Sequence, residues 1–464
     1  MITSSKKYSF FFVSLILLLC ACGCEKPQPV DNPEQQDTTQ VEKPDLSLIK
    51  ATVPVTDNWV WSGKPAITVH VENPNKASVQ LPIEIRISTD KHQARTTVEK
   101  NIEVPGKSQG DYIVSPSEDL DPGIYRAVCF VGDKNVRSFN FALDPFDIES
   151  TPDKQSDFDS FWETAKNQLK AVDMNPHLIE LPNKSTAQRK VYLVELNSVP
   201  DGLDGDPVVV RGYYCEPQDG QPHPVIMHFY GYDYQNVTTH VECPNGNGST
   251  HAEFYLSHRG QYINNRPESS REPDGLGDLV NIYGDWFSYH FGDKDSYYYR
   301  GAFMDCVQAV RFMATRETSD MTRLFAEGSS QGGALTYACA ALSDYPFSAI
   351  AANVAFLGDY ADAMDIGGLA AETAKRCQGA MTDEQMLAFL SYFDTKNLTP
   401  RISCAVLGSS GLQDGVCPPR TNVVPFNNLS TPAEEKEYIF GPEMQHDYPA
   451  GWFTKMNSLF KSKM

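Results

Sequence analysis

Basic residues are scarce in this chain. Only 39 Lys and Arg stand against 60 Asp and Glu, giving a formal net charge of −21 at pH 7 and a pI near 4.9. A protein that tracks nucleic-acid phosphates needs a positive surface, so nucleic acid is excluded as a partner. Metal-ligand spacings are missing as well. The eight cysteines after residue 24 contain no C-x-x-C pair, so no metal and no cofactor are expected. Beyond residue 24 no apolar run is long enough to cross a bilayer.

The apolar run that does exist lies at the N-terminus. Lys6 and Lys7 precede the mostly apolar residues 10–19, which are too few to span a membrane as a mature helix. The run ends in Leu19-Cys20-Ala21-Cys22-Gly23-Cys24, which resembles a bacterial lipobox. Small Ala21 makes Cys22 the expected lipidated residue, with Cys24 the second choice. Residues 1–22 are therefore read as a lipoprotein signal peptide. The expected location is the cell envelope, periplasmic or surface-exposed, with membrane contact through the lipid alone. Residues 23–44 are rich in Pro, Gln, Asp and Thr and read as a flexible tether. Among the later cysteines, Cys306 and Cys339 sit between apolar residues and are expected to be buried thiols.

Residues 45–144 carry a period of two. "AITVHVENP" puts Ile67, Val69 and Val71 on one face, and "LPIEIRIS" does the same with Ile83, Ile85 and Ile87. An Ig-like β-sandwich is predicted, with no chemistry of its own; it is read as a spacer, dispensable for activity, with a carbohydrate- or partner-binding module as the alternative. From residue 145 to 464 the pattern changes. "SDFDSFWETAKNQL" opens with polar capping residues and aligns Phe158, Phe161, Trp162 and Leu169 on one helical face. Apolar strand-like runs then alternate with helices such as "YRGAFMDCVQAVRFMATR", where Phe303, Cys306, Val307 and Val310 share one side. This is the pattern of an α/β domain: a mostly parallel sheet covered on both faces, with its site at the carboxyl ends of the strands.

One such strand end carries chemistry. "RLFAEGSSQGGALTY" runs an apolar strand into Gly328-x-Ser330-x-Gly332, the spacing of a nucleophile elbow. The motif alone is weak, because glycine and serine are common. A serine hydroxyl also needs a base, and the base an acid to orient it. In the α/β-hydrolase order both follow the serine, and His446 is the only histidine after Ser330. The acid should follow the strand "RISCAVLGS", where Asp414 is the only carboxylate of the loop "SGLQDGVCPP". Asp359, Asp362 and Glu443 are the alternatives. An oxyanion needs two backbone N–H donors. Gln331, after the serine, supplies one; Tyr232, after Gly231 in "HFYGYDY", is the expected second.

Taken together these motifs resemble carbohydrate esterase family 7, the acetyl xylan esterases and cephalosporin-C deacetylases. "FDSFW" resembles the opening helix of that family, "HFYGY" its oxyanion loop, and Arg259-Gly260-Gln261 its Arg-Gly-Gln signature near the site. "YYYRGAFMDCVQAV", "GSSQGGA" and "LQDGVCPP" follow in the family's order, and the similarity runs from about Phe158 to the C-terminus. The chain departs from the family in having His446-Asp447 where His-Glu is usual, and in carrying the N-terminal sandwich. The resemblance implies an α/β-hydrolase fold, a cofactor-free serine esterase acting on a small carbohydrate ester, and a homo-oligomer, since the family forms hexamers. It carries the nucleophile onto Ser330 and the acid onto Asp414. Two other readings stay open: a broad carboxylesterase or peptidase on the same fold, and a glycan-binding lipoprotein with a degenerate hydrolase domain.

Overall fold

Period-two burial organises the first part of the structure. The computed structural model describes residues 43–233, 241, 244, 251–261, 263 and 283–464; Cys22, Cys24, Cys243 and the tether up to residue 42 lie outside them. Strands β1 (Lys50–Thr52), β2 (Val60–Trp61), β3 (Ile67–Asn73), β4 (Val79–Thr89), β5 (Ala94–Val104), β6 (Ser108–Val114), β7 (Gly123–Val131) and β8 (Lys134–Leu143) form two sheets, ordered β1-β3-β6 and β2-β8-β7-β4-β5. Ile67, Val69 and Val71 on β3 face the same core as Ile83, Ile85 and Ile87 on β4, as the alternation requires. All pairings are antiparallel except β2 with β8.

The second part is a nine-stranded sheet. Its strands are β9 (His177–Glu180), β10 (Arg189–Ser198), β11 (Val208–Pro217), β12 (His223–Phe229), β13 (Ala252–Ser257), β14 (Ser319–Ser329), β15 (Ala349–Asn353), β16 (Ala405–Gly411) and β17 (Lys436–Gly441). Their order is β17-β16-β15-β14-β12-β13-β11-β10-β9, parallel from β17 to β13 and antiparallel beyond. Helices α1 (Phe158–Ala171), α2 (Tyr298–Met313) and α3 (Gln331–Leu342) share the large core on one face. The C-terminal helix covers the other face through Trp452 and Phe460, packed on Phe325, Ala349, Ala351 and Leu407. This is the predicted α/β-hydrolase architecture.

Four features differ from the sequence expectation. The N-cap of α1, Asp157, makes no side-chain cap bond; its carboxylate instead accepts from Lys294 at 2.6 Å and from the Tyr392 hydroxyl. Helix α2 is buried all round except at Arg311, because it is wedged between the sheet, α1 and α3. Between β15 and β16 the chain inserts helices α4 (Tyr360–Ile366), α5 (Leu369–Cys377), α6 (Asp383–Leu390) and α7 (Thr395–Leu398), each too short to show a period. Most consequential, the sandwich is no free-standing spacer. Leu412, Val423 and Val424 of the hydrolase part lie inside the sandwich core, and Pro44–Met464 forms one compact unit. Burying such side chains contributes about 1.5–3 kcal/mol each.

Candidate active site

Ser330 sits where β14 turns into α3, with φ 59° and ψ −121°. Non-glycine residues rarely hold a positive φ, so the surroundings must enforce it. Its N–H donates to the Asn353 carbonyl at 2.9 Å, and its carbonyl accepts from the Phe356 N–H at 2.9 Å. The flanking glycines are required by close approach. A Cβ on Gly328 would stand 2.3 Å from the Gly332 carbonyl oxygen, and one on Gly332 would stand 2.3 Å from that of Phe229. The hydroxyl is thereby lifted above the carboxyl edge of the sheet.

Two loops from neighbouring strands reach it. His446, after β17, places Nε2 2.9 Å from Ser330 Oγ. Its Nδ1 lies 2.8 Å from Oδ2 of Asp414, in the loop after β16. The Asp414 side chain is fully buried, and its Oδ1 accepts the N–H groups of Val416 and Cys417 at 2.8 and 2.9 Å. Those two bonds fix the carboxylate and leave the other oxygen for the imidazole. The alternative acids are committed elsewhere. Asp359 pairs with Lys396 and Arg420, each at 3.1 Å; Asp362 pairs with Lys91 and Arg420, and Glu443 with Arg137. The structure therefore brings Ser330, His446 and Asp414 together and pairs the three alternative acids with basic residues. Cys417 lies beside the serine, but burial first and the Asp414 charge second push its thiol well above its usual range, with a hydrogen bond to Ser330 opposing. It is a neutral neighbour and no rival nucleophile.

Gln331 opens α3 with its side chain buried, and that side chain ties the elbow to the Arg-Gly-Gln segment. Its Oε1 accepts from the Tyr299 hydroxyl at 2.8 Å, and its Nε2 donates to Nε2 of His258 at 2.8 Å. Burial lowers the His258 pKa from its ordinary 6.5 to about 4, so the ring is neutral near pH 7. With Nε2 accepting, Nδ1 carries the proton and donates to the Tyr298 oxygen at 2.8 Å, while that hydroxyl donates to the Arg259 carbonyl at 2.6 Å.

Arg259 is itself buried and holds α2 in place. It donates to both carboxylate oxygens of Asp305 at 2.8 and 2.9 Å and to Asp201 at 2.7 Å. Burial opposes its charge, yet Asp305 outweighs burial and the pKa is raised. Gly260 supplies a positive φ of 76°, and Gln261 donates from Nε2 to the Gly231 carbonyl at 3.4 Å, bracing the loop that carries Tyr232. The Tyr232 hydroxyl donates to Asp285 and its ring packs against Trp286 and Phe356. These buried partners (His258, Tyr298, Tyr299 and Asp305) were not singled out from the sequence. Their signal was their adjacency to Arg-Gly-Gln and to the Tyr-Tyr-Tyr-Arg run.

Ser330 and His446 open into a cleft of about 440 Å³, walled also by Tyr232, Tyr255, Glu327 and Tyr448. Its volume suits a small organic ligand. A hydroxyl hydrogen-bonded to a histidine and facing such a cleft can transfer an acyl group.

Comparison with known proteins places these features in context. Residues 139–464 match the family described as acetyl xylan esterase (AXE1), well over half of the chain. The acetyl esterase Axe7A of Xylanibacter ruminicola is 25% identical over 292 residues, 62% of this chain and 63% of that protein; the chain spans less than two thirds of this relative's length. Among solved structures, an acetyl xylan esterase from Paenibacillus sp. R4 superposes with a TM-score of 0.56 at 25% identity, over 69% of this chain and 98% of that one. Acetyl xylan esterase 1 from Thermoanaerobacterium sp. JW/SL YS485 gives the same TM-score of 0.56 at 22% identity, over 68% and 97%, and bears on the fold alone.

Proposed function

We propose that this chain, which belongs to the acetyl xylan esterase family, is a serine esterase that removes acetyl groups from sugars or short xylo-oligosaccharides. The observation that carries the proposal is the pair of contacts at 2.9 and 2.8 Å linking Ser330, His446 and Asp414, the first two of which line the cleft. Ser330 Oγ attacks the acetyl carbonyl while His446 Nε2 takes its proton. Asp414 holds the imidazole in the Nδ1–H form and stabilises the imidazolium. The N–H groups of Gln331 and Tyr232 receive the oxyanion. The sugar leaves as its alcohol with the proton from His446, and water then attacks the acetyl-enzyme by the same route to release acetate.

Relatives bearing the names acetyl esterase and acetyl xylan esterase support the acetyl specificity. The test is acetate release from acetylated xylo-oligosaccharides, set against a panel of longer acyl esters and peptides. Turnover confined to acetyl sugars upholds the proposal. Equal turnover of long acyl esters or of peptides favours the broad carboxylesterase or peptidase reading, and no turnover at all favours a glycan-binding role.

The N-terminal sequence supports a second proposal, that the mature protein is anchored in the cell envelope through lipidated Cys22. Mass spectrometry of detergent-extracted protein tests it; an uncleaved, unmodified N-terminus overturns it.

A further inference from the structure

The cleft is larger than an acetyl group needs, and its remaining wall has a chemistry of its own. Glu327 lies three residues before Ser330 on β14, and the strand's alternation puts it on the same side as Ser329. Its side chain is 20% exposed and its Oε1 pairs with Nδ1 of His228, at the end of β12, at 2.7 Å. The His228 ring stacks on Tyr255, with centroids 4.2 Å apart and planes 12° from parallel. Tyr230 and Tyr448 line the same cleft. His228 and Glu327 also line a second cavity of about 430 Å³, so the pair stands between two spaces.

A carboxylate in the wall of a cleft where an oxyanion forms does not assist acyl transfer, because like charges repel. Its placement there calls for a compensating role. An ionised carboxylate only accepts hydrogen bonds, and its two oxygens can take two neighbouring hydroxyls at once. Aromatic rings beside it offer flat apolar faces to the C–H faces of a pyranose. The same charge repels a ligand that carries its own carboxylate. Resting on the esterase reading above, we propose that Glu327, held by His228 and flanked by Tyr255 and Tyr448, is a specificity-determining subsite. It binds the free hydroxyls of a neutral acetylated sugar and discriminates against acetylated uronic acids.

The experiment compares Glu327→Gln, Glu327→Ala and Tyr448→Ala with the wild type on three substrates: p-nitrophenyl acetate, acetylated xylobiose and acetylated methyl-glycoside galacturonate. Hydrogen bonds to a charged group imply that both Glu327 variants lose kcat/KM on acetylated xylobiose by roughly tenfold or more beyond any loss on p-nitrophenyl acetate, mainly through KM. The ratio of uronate to neutral-sugar turnover should rise in both, because the repelling charge is gone. Tyr448→Ala should lower turnover of both sugars and leave that ratio alone. If the variants lose all three activities in parallel, or none, the assignment is overturned while the esterase reading stands. If the wild type hydrolyses p-nitrophenyl acetate and neither sugar, the sugar reading falls and takes this assignment with it.

Discussion

Asn140 and Gln413 hold each other by a reciprocal pair of hydrogen bonds. The Asn140 N–H donates to Gln413 Oε1 at 2.9 Å, and Gln413 Nε2 donates to the Asn140 carbonyl at 3.0 Å. Asn140 belongs to β8 of the sandwich, and Gln413 is the neighbour of Asp414. Gln413 also donates to the Pro442 carbonyl from Nε2 at 2.7 Å and to the Met444 carbonyl from its backbone at 3.0 Å. One strand of the N-terminal module thus buttresses both the loop of Asp414 and the loop of His446. Arg137, on the same strand, adds an ion pair to Glu443.

The first prediction reverses the spacer expectation. A chain beginning at residue 145 exposes Leu412, Val423 and Val424 and frees Gln413, so it should be aggregation-prone and essentially inactive on p-nitrophenyl acetate. In the full-length protein Gln413→Met keeps the volume and removes the bonds. It should lower kcat by about tenfold, since only part of the three lost side-chain bonds is felt at the triad, with KM little changed. A truncated protein as active as the whole would show the buttress to be idle.

The second prediction concerns the nucleophile. Ser330→Ala and His446→Ala should each lower kcat by roughly 10⁴–10⁶, and the double variant should be hardly worse than either, because the residues act as a unit. Asp414→Asn should cost less, since the base is mis-oriented and not removed. Ser329→Ala is the register control, and full activity of Ser330→Ala would place the nucleophile elsewhere.

The third prediction is a pH dependence of stability. His258 is neutral in the fold, with a pKa lowered by burial from 6.5 to about 4. Its contribution is therefore complete above about pH 6.5, where both folded and unfolded forms are neutral, and is lost as the pH falls towards 4 and the unfolded chain gains a proton. The loss is on the order of 3 kcal/mol for a fully buried group. Thermal melts of the wild type should fall steeply over that window, and melts of His258→Gln should fall less. Parallel curves for the two proteins would contradict it.

The fourth prediction tests the buried pair beneath the site. Asp305→Ala strands the Arg259 guanidinium, which has its side chain 1% exposed and loses the two hydrogen bonds it makes to that carboxylate. Breaking a buried pair from one side costs about 3–5 kcal/mol, measurable as a lower urea midpoint. An unchanged midpoint would mean that Asp201 and water suffice for the charge.

Much of this was legible in the sequence because the signals were local or forced by order. The Gly-x-Ser-x-Gly turn needs its glycines within two residues of the serine, and His446 had no competitor downstream. The period of two in β3 and β4 reads out directly as burial. What escaped was contact across large separations. Asn140 and Gln413 are 273 residues apart, and neither looks unusual where it stands. His258 and Gln331 meet across 73 residues through a hydrogen bond between two side chains, which no local pattern announces. Helices α4 to α7 escaped for another reason, being too short for one apolar face to repeat.

The distance along the chain between the sandwich strands and the residues that close their core has a consequence for folding. The sandwich strands come far earlier in the chain than Leu412, Val423 and Val424, which complete their core. A folding intermediate in which that later segment has not docked therefore carries an uncovered apolar face on the module, a surface that suits a chaperone.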